Sequence, residues 1–395
     1  MSNGSRYRWY VLGLAALTYT FASAMPRMCM PVLFEEISID LDLSLVQIGA
    51  IWGTEPLAGL TTILVGGLLS DRFGVRKVLS IACFLVGVTG ALRGLSSGFT
   101  SLAATTFLFG LIGAVVPGNV TKTAGIWFSG QHLGFANGIL GVGMAIGFMA
   151  AAMLSATVLS PLLGGWRWVL VLYGALSAAL SLLWFFTVRE PGQVASGDSR
   201  ERLTLGQTLS RVVRLKSIWL IGLALLGQSS CVSSMLGYLP LYLRERGWSV
   251  TGADGTVAAF HGVSMLGAIP LALLSDRLGS RKKVLIPAVL ITAISIVLLS
   301  AADDQAVWLL VILAGIFRDG VMAILMSMII EVKGVGGAYA GTAVALVIAI
   351  SQLGNFIAPP FGNSLARFYP GLPFVFWGAL ALISLVSLSF VKEGR

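Results

Sequence analysis

The sequence predicts an all-α membrane protein with twelve transmembrane helices, arranged as two pseudo-symmetric bundles of six. Three observations support this prediction: an apolar composition, a series of long apolar runs and a charged loop that occurs twice. Hydrophobic residues make up 56% of the 395 residues and charged residues 11%, and the mean hydropathy is +0.90. Water would demand more polar surface, whereas lipid accepts apolar helices whose backbone is hydrogen-bonded internally.

The apolar runs, divided at Gly, Pro and charged clusters, predict twelve helices of about the length that a bilayer requires. We place them at 8-34, 45-70, 77-96, 101-126, 134-158, 166-188, 217-243, 252-274, 283-301, 306-331, 338-361 and 371-391. The first run is too long for the core of a signal peptide. We therefore expect it to remain as a membrane helix.

A charged loop follows the second predicted helix and occurs again in the second half of the chain. The segment Gly67–Lys77 reads GLLSDRFGVRK, and Ala272–Lys282 reads ALLSDRLGSRK, 205 positions later. A repeat of this length indicates two copies of one unit. The predicted domains are an N-terminal six-helix bundle at 1-188, a cytoplasmic linker at 189-216 and a C-terminal six-helix bundle at 217-395.

Charges in the predicted loops indicate the orientation of the chain. Lysine and arginine concentrate in the loops on one side, which include Arg72, Arg76, Lys77, Arg281 and Lys282. The other side has fewer: Arg93, Arg167, Arg244, Arg246 and Arg367. The positive-inside rule therefore predicts that the first side and both termini are cytoplasmic. We expect a multi-pass protein of a prokaryotic-type inner membrane.

The sequence argues against several other classes of protein. Its basic residues are scattered among short loops, which disfavours nucleic-acid binding. It contains no nucleotide-binding loop, metal-ligand cluster or nucleophile motif, so we expect no enzymatic activity, no metal and no cofactor. We expect a monomer in the lipid bilayer.

The duplicated loop resembles the signature of the major facilitator superfamily, in which Asp-Arg, Gly and a basic pair follow helix two. This resemblance implies the major facilitator fold, with a central cavity lined mainly by helices one, four, seven and ten, and transport by alternating access. It also implies that the loops latch the bundles. The gating residues would then be Asp71, Arg72, Arg76, Asp276, Arg277 and Arg281, although the loop could instead be a topology signal only.

Ionisable residues inside predicted helices are costly in lipid and are therefore candidates for function. Arg27 on helix one and Arg318 on helix ten predict an anion clamp, because guanidinium groups bind carboxylates bidentately. The alternative is that Arg27 pairs with Glu55, and Arg318 with an acidic neighbour or a carbonyl. We expect Asp319 to be a poor partner for Arg318, because adjacent helical residues do not face each other.

A second resemblance concerns helices one and four. Pro26-Arg27-Met28 and Pro117 to Phe128 are similar to segments of the organic anion-cation symporters, and monocarboxylate-like and cyanate or nitrate permease-like branches remain alternatives. The resemblance implies that Arg27 contacts a substrate carboxylate and that Lys122 replaces a second substrate-binding arginine. Lys122 could instead snorkel to the interface. Pro26 stands where the branch commonly has an acidic residue, which puts that route of proton coupling in doubt.

The remaining candidates complete the predicted site. Glu55, Asp319 and His261 could carry the coupling proton. Six polar residues could bond substrate oxygens or simply bridge helices: Tyr19, Asn119, Gln228, Tyr238, Gln352 and Asn355.

The predicted function is secondary active transport of a small, carboxylated organic anion by proton-coupled symport. The predicted partners are therefore the anion, protons and the lipid bilayer. The alternative is a proton-coupled efflux carrier for a neutral or amphipathic compound. In that case the arginines would form structural ion pairs within the protein and would not bind the substrate.

Overall fold

The computed structural model describes residues 2–189 and 205–391, and within these ranges it contains helices and no strand. The first group of helices is α1 (Ser2–Thr18), a π-helical segment (Tyr19–Ala24), α2 (Met25–Leu41), α3 (Leu45–Phe73), α4 (Val75–Leu92), a 3₁₀ turn (Arg93–Leu95), α5 (Phe99–Gly113), α6 (Val115–Trp127), α7 (Gln131–Leu154), a second π-helical segment (Ser155–Leu159), α8 (Ser160–Leu163) and α9 (Trp166–Thr187). The second group is α10 (Leu205–Val213), α11 (Lys216–Glu245), α12 (Val250–Leu278), α13 (Arg281–Leu298), α14 (Asp304–Glu331), α15 (Gly336–Leu365) and α16 (Leu372–Phe390).

Each of the twelve predicted helices coincides with an observed helix or a continuous series of helical segments. Predicted helix one consists of α1, the first π-helical segment and α2, and predicted helix four consists of α5 and α6. The predicted linker at 189-216 contains α10, and its residues 190–204 lie outside the described residues. The predicted domain bounds stay a prediction.

Nine helices in the described ranges are long and apolar enough to cross a membrane. The predicted membrane helices at 8-34, 45-70 and 283-301 are not among these nine. For α13 the reason is visible in the sequence, because its 18 residues begin with Arg281, Lys282 and Lys283. Basic residues at a helix end are compatible with a membrane helix, since their long side chains reach the interface.

The helix that carries Arg27 is irregular just before that residue. The π-helical segment Tyr19–Ala24 precedes Pro26, and proline cannot donate the backbone hydrogen bond that a regular helix requires. The Thr20 hydroxyl donates to the Gly143 carbonyl at 2.7 Å, which fastens this segment to α7. Segments of π-helix frequently occur at functional sites.

The junction between α2 and α3 has clear local causes. Asp42 ends α2 in the left-handed conformation, with φ of 50°. Ser44 then caps α3, since its side chain accepts from the Gln47 backbone N–H while Gln47 accepts from the Ser44 backbone N–H. This reciprocal capping fixes the start of the helix that carries Glu55.

The chain divides into two compact units. The first comprises Met1–Glu190 and Gly237–Gly262. Within it, α4 and α9 pack closely through two glycines: a Cβ atom on Gly87 would lie 2.6 Å from the Gly174 carbonyl oxygen, and one on Gly174 would lie 2.5 Å from the Gly87 carbonyl oxygen. Small residues allow such close approach between membrane helices.

The second compact unit comprises Pro191–Leu236 and Val263–Arg395. In this unit α13 packs against both α14 and α16. The Trp377 indole N–H donates to the Ala358 carbonyl at 2.9 Å and joins α16 to α15. Large apolar side chains such as Leu285, Val289 and Phe374 are fully buried in this unit.

Candidate functional site

Arg27 of α2 and Glu55 of α3 form an ion pair. The Arg27 Nε atom lies 3.3 Å from Glu55 Oε1, and the two side chains are 32% and 17% exposed. The Arg27 guanidinium carbon also lies 5.8 Å from the centre of the Trp52 ring, one turn before Glu55 on α3. Within residues 2–189 and 205–391, no other hydrogen bond or ion pair involves Arg27. The terminal Nη1 and Nη2 atoms therefore remain available for bidentate binding.

Arg93, in the 3₁₀ turn after α4, contacts the backbone next to Arg27. Its side chain is fully buried, although the sequence placed it among the charges of an outer loop. Its Nη2 atom donates to the Pro26 carbonyl at 2.8 Å, and its Cζ atom lies 3.9 Å from the centre of the Phe109 ring. Its Nη1 atom has no hydrogen-bond partner among the described residues. Arg93 turns into the helix packing rather than towards solvent, and its predicted position on the outer side of the membrane stays a prediction.

Arg318 and Asp319 of α14 also form an ion pair, with Arg318 Nη1 at 2.8 Å from Asp319 Oδ1. Each side chain is 33% exposed. The expectation that Asp319 would be a poor partner was wrong. Adjacent helical residues diverge at their Cα atoms, but the long arginine side chain folds back to its neighbour. Arg27 and Arg318 belong to different compact units.

Lys122 forms an ion pair with Asp71, the aspartate of the first copy of the duplicated loop. Its Nζ atom lies 2.6 Å from Asp71 Oδ1 and 2.9 Å from Ser70 Oγ. The sequence offered Asp71 as a gating residue and Lys122 as a substrate-binding residue, and the structure brings the two together. The pair connects α6 to the end of α3. The role of Lys122 in substrate binding stays a prediction.

The second signature loop has a different arrangement. Arg281 donates from Nη1 to Asp276 Oδ1 at 2.5 Å and from Nη2 to Glu331 Oε1 at 2.8 Å. Its counterpart in the first loop, Arg76, donates instead to the Phe185 carbonyl of α9. Arg72 and Arg277 are exposed. Gly74 and Gly279 have φ of 84° and 63°, so each loop makes a tight turn at the equivalent glycine.

Several polar candidates already have contacts inside the protein. The Tyr19 hydroxyl donates to the Pro117 carbonyl at 3.0 Å and lies 2.9 Å from Thr121 Oγ1, so it joins helix one to α6. Asn119 donates to the Val115 carbonyl at 2.8 Å. In the second unit, Asn355 donates to Gln352 Oε1 at 3.0 Å. These contacts favour helix bridging for Tyr19 and intrahelical bonding for Asn119.

The remaining two polar candidates, Gln228 and Tyr238, and the proton-coupling candidate His261 are buried. Gln228 is 5% exposed, and neither of its amide atoms has a hydrogen-bond partner among the described residues. Tyr238 is fully buried with its ring 5.9 Å from that of Tyr242. The His261 ring lies 4.7 Å from that of Phe148. Of these three, Gln228 has the unsatisfied amide expected of a ligand-binding residue.

The sequence interpretation missed a buried ionic cluster in the first unit. Arg244 donates from Nη1 to Glu35 Oε2 at 2.9 Å and from Nη2 to Asp254 Oδ1 at 2.6 Å. The Arg244 side chain is 5% exposed and that of Asp254 is fully buried. A signal existed for both Asp254 and Arg93, because each lies inside a predicted membrane helix. The described residues contain no group of three or more His, Cys, Asp or Glu that could hold a metal ion.

Comparison with known families gives a match over most of the chain. The model of the family described as Major Facilitator Superfamily matches residues 14–266 and 247–395. A crystal structure of a mutant of the nucleoside transporter NupG superimposes with a TM-score of 0.79 at 14% sequence identity, covering 98% of this chain and all of that one. At this identity the likeness concerns the fold alone.

Three curated relatives are transporters by name. The probable sulfoacetate transporter SauU of Cupriavidus necator is 24% identical, over 99% of this chain and 95% of its own. The probable nitrate/nitrite antiporter NarK1 of Thermus thermophilus is 28% identical, over 70% of this chain and 63% of its own. The probable galactarate/D-glucarate transporter GudP of Bacillus subtilis is 25% identical, over 78% of this chain and 74% of its own.

Proposed function

The chain belongs to the Major Facilitator Superfamily, and from this membership we propose that it is a secondary active transporter of a small carboxylated anion. Members of this family are integral membrane transporters and not enzymes, and the predicted fold and class of protein are confirmed. Transport proceeds by alternating access and is coupled to proton symport. The protein lies in a prokaryotic-type inner membrane with both termini in the cytoplasm.

The observation that supports this proposal is that the terminal Nη1 and Nη2 groups of Arg27 have no partner among the described residues. Glu55 engages only Nε, so Nη1 and Nη2 can donate to both oxygens of one carboxylate. Arg27 is about one-third exposed, which leaves it within reach of a ligand. A guanidinium inside a membrane helix is costly and is retained for a purpose.

The names of the relatives agree with an anionic substrate. Sulfoacetate and glucarate both carry carboxylate groups, and nitrate is a planar oxyanion that a guanidinium also matches. These substrates belong to the relatives. For this chain they define the class of compound to test.

Glu55 gives a physical route for proton coupling. When Glu55 is ionised, its charge opposes the approach of a substrate carboxylate to Arg27. Protonation removes that charge and frees Nε, so the anion and the proton bind together. This linkage is the requirement for symport. In the second unit Asp319 pairs with Arg318 through Nη1, so the ionised Asp319 would likewise oppose the approach of a carboxylate to Arg318.

Uptake into liposomes by the purified protein tests the proposal. The panel is acetate, lactate, sulfoacetate, D-glucarate and nitrate, with uridine as a neutral solute, each measured with and without an inward proton gradient. We expect accumulation of at least one carboxylate, faster with the gradient. Transport of uridine without any carboxylate would contradict the proposal, and transport of nitrate alone would restrict it to inorganic anions.

Arg27→Lys tests the site within the same assay. Lysine keeps the charge but loses the planar fork, so we expect the KM of the transported carboxylate to rise about tenfold or more. Arg367→Lys is the control, because Arg367 lies beyond the end of α15 against the ring of Phe368. Equal KM values for Arg27→Lys and the wild type would exclude bidentate binding by Arg27.

A further inference from the structure

Arg93 has a feature that the proposed function does not yet use: it is a fully buried cation without an ion-pair partner among the described residues. Its two hydrogen-bond acceptors are the carbonyl oxygens of Gly90 and Pro26, which are neutral. The Phe109 ring at 3.9 Å adds a cation–π contact. These groups partly solvate the guanidinium, but they do not cancel its charge.

Arg93 and Glu55 contact adjacent residues of α5. The segment that separates them is short: Phe109 contacts Arg93, and the next residue, Gly110, packs directly against Glu55. Glu55 is also the ion-pair partner of Arg27. One carboxylate therefore serves two guanidiniums, which leaves one formal positive charge in this cluster.

We infer that Arg93 makes the Arg27 site an anion site by supplying its uncompensated positive charge. The Arg27–Glu55 pair alone is neutral and would attract an anion only weakly. With Arg93 present, the cluster carries one positive charge while Glu55 is ionised and two once Glu55 is protonated, so in either state a bound anion offsets uncompensated charge. This inference rests on the proposed function and names its charge-selecting residue, which acts without touching the substrate.

The effect reaches the substrate because the interior screens charge poorly. Two unit charges interact about fourfold more strongly at the effective dielectric constant of a protein, about 20, than in water. Arg93 is connected to the binding arginine through the backbone, since its hydrogen bond ends on Pro26, the residue before Arg27. Its charge and its hydrogen bond can be separated by substitution.

The experiment measures initial uptake of the panel anion with the highest wild-type rate, in proteoliposomes of four variants. Arg93→Gln keeps a hydrogen-bond donor for the Pro26 carbonyl but removes the charge. Arg93→Lys keeps the charge but replaces the planar guanidinium by a single ammonium group. We expect Arg93→Gln to raise the KM about tenfold or more. We expect Arg93→Lys to keep the KM close to that of the wild type.

The double variant Arg93→Gln/Glu55→Gln is the most discriminating test. It removes one charge of each sign, so the cluster again has a net charge of +1, now carried by Arg27 alone. We expect it to recover most of the anion affinity that Arg93→Gln loses. A purely structural role for Arg93 would not be rescued in this way. Thermal midpoints in detergent establish that each variant is folded.

Arg167→Met is the matched control. Arg167 donates to the Gly94 carbonyl at 3.0 Å, close to Arg93 in the chain, but its charge is balanced by Asp40 at 2.8 Å and the pair is exposed. We expect its KM to be unchanged. Arg93→Gln with a wild-type KM, or equal losses in Arg93→Gln and Arg93→Lys without rescue, would overturn the inference. A wild type that carries no anion would overturn the proposed function itself.

Discussion

At the scale of single residues, the two copies of the signature loop satisfy equivalent carboxylates with different cations. Asp71 binds Lys122, which comes from another helix, whereas Asp276 binds Arg281, five residues later in the same loop. Arg281 also binds Glu331 on α14. Each loop is thereby tied to a further helix of its own unit, through a different set of side chains.

The Lys122–Asp71 contact gives a prediction that separates a gating role from substrate binding. We expect Lys122→Met and Asp71→Asn each to lower the maximal transport rate and leave the KM unchanged. The double variant should be no slower than the slower single variant, because both act through one contact. The free energy of unfolding should fall by less than about 1 kcal/mol, since the pair is exposed.

Lys77→Met is the control for this series, since Lys77 is an exposed lysine of the same loop. Its transport rate should match that of the wild type. A rise in KM on Lys122→Met, without an effect of Asp71→Asn, would instead assign Lys122 to the substrate. Uptake rates over a range of anion concentrations make this distinction.

At the scale of helices, the contact between α3 and α5 positions Glu55. A Cβ atom on Gly110 would lie 2.6 Å from the Glu55 carbonyl oxygen and 2.8 Å from its Cα atom. These are backbone atoms, which cannot move aside without moving α3. The glycine therefore sets the separation of the two helices at the level of the Arg27–Glu55 pair.

Gly110→Ala should accordingly separate α3 from α5. We expect a loss of stability of about 1–3 kcal/mol from overpacking, together with a higher KM for the transported anion. Gly113→Ala is the matched control on the same helix, because a Cβ atom there would meet nothing within 4 Å. It should be neutral or stabilising by up to about 1 kcal/mol.

Thermal midpoints of the two purified variants in detergent, compared with the wild type, test this pair. A Gly110→Ala midpoint equal to that of Gly113→Ala would mean that α3 and α5 do not approach as closely as described. The comparison removes the general effect of replacing glycine by alanine within a helix.

At the scale of the whole molecule, the charge asymmetry of the loops predicts the orientation in the membrane. Ser97, between α4 and α5, should face outwards, and Ser129, between α6 and α7, should face the cytoplasm. Both residues are exposed. The native cysteines are buried, so a single introduced thiol would dominate the labelling.

Labelling with a membrane-impermeant maleimide tests the orientation. We expect Ser97→Cys to react in intact cells and Ser129→Cys to react only after permeabilisation. The unmodified chain, with its three buried cysteines, gives the background. The opposite labelling pattern would place both termini outside and contradict the proposed orientation.

The positions of the helices followed from local sequence alone. Long apolar runs, Gly and Pro at their ends and the duplicated Asp-Arg loop were sufficient for the predicted helices and for the family, because each depends on residues that are neighbours in the chain. Arg27 and Glu55 were likewise identified as intramembrane charges, and their pairing was one of the alternatives.

The partners of the charged side chains were decided only by tertiary packing. Whether Lys122 reaches Asp71, whether Arg93 turns inwards, and whether Arg244 meets Asp254 depend on how each helix is rotated and which distant helix it faces. Periodicity specifies a face of a helix but not its neighbour. Long flexible guanidinium and ammonium groups can also reach several partners, so spacing in the sequence could not choose among them.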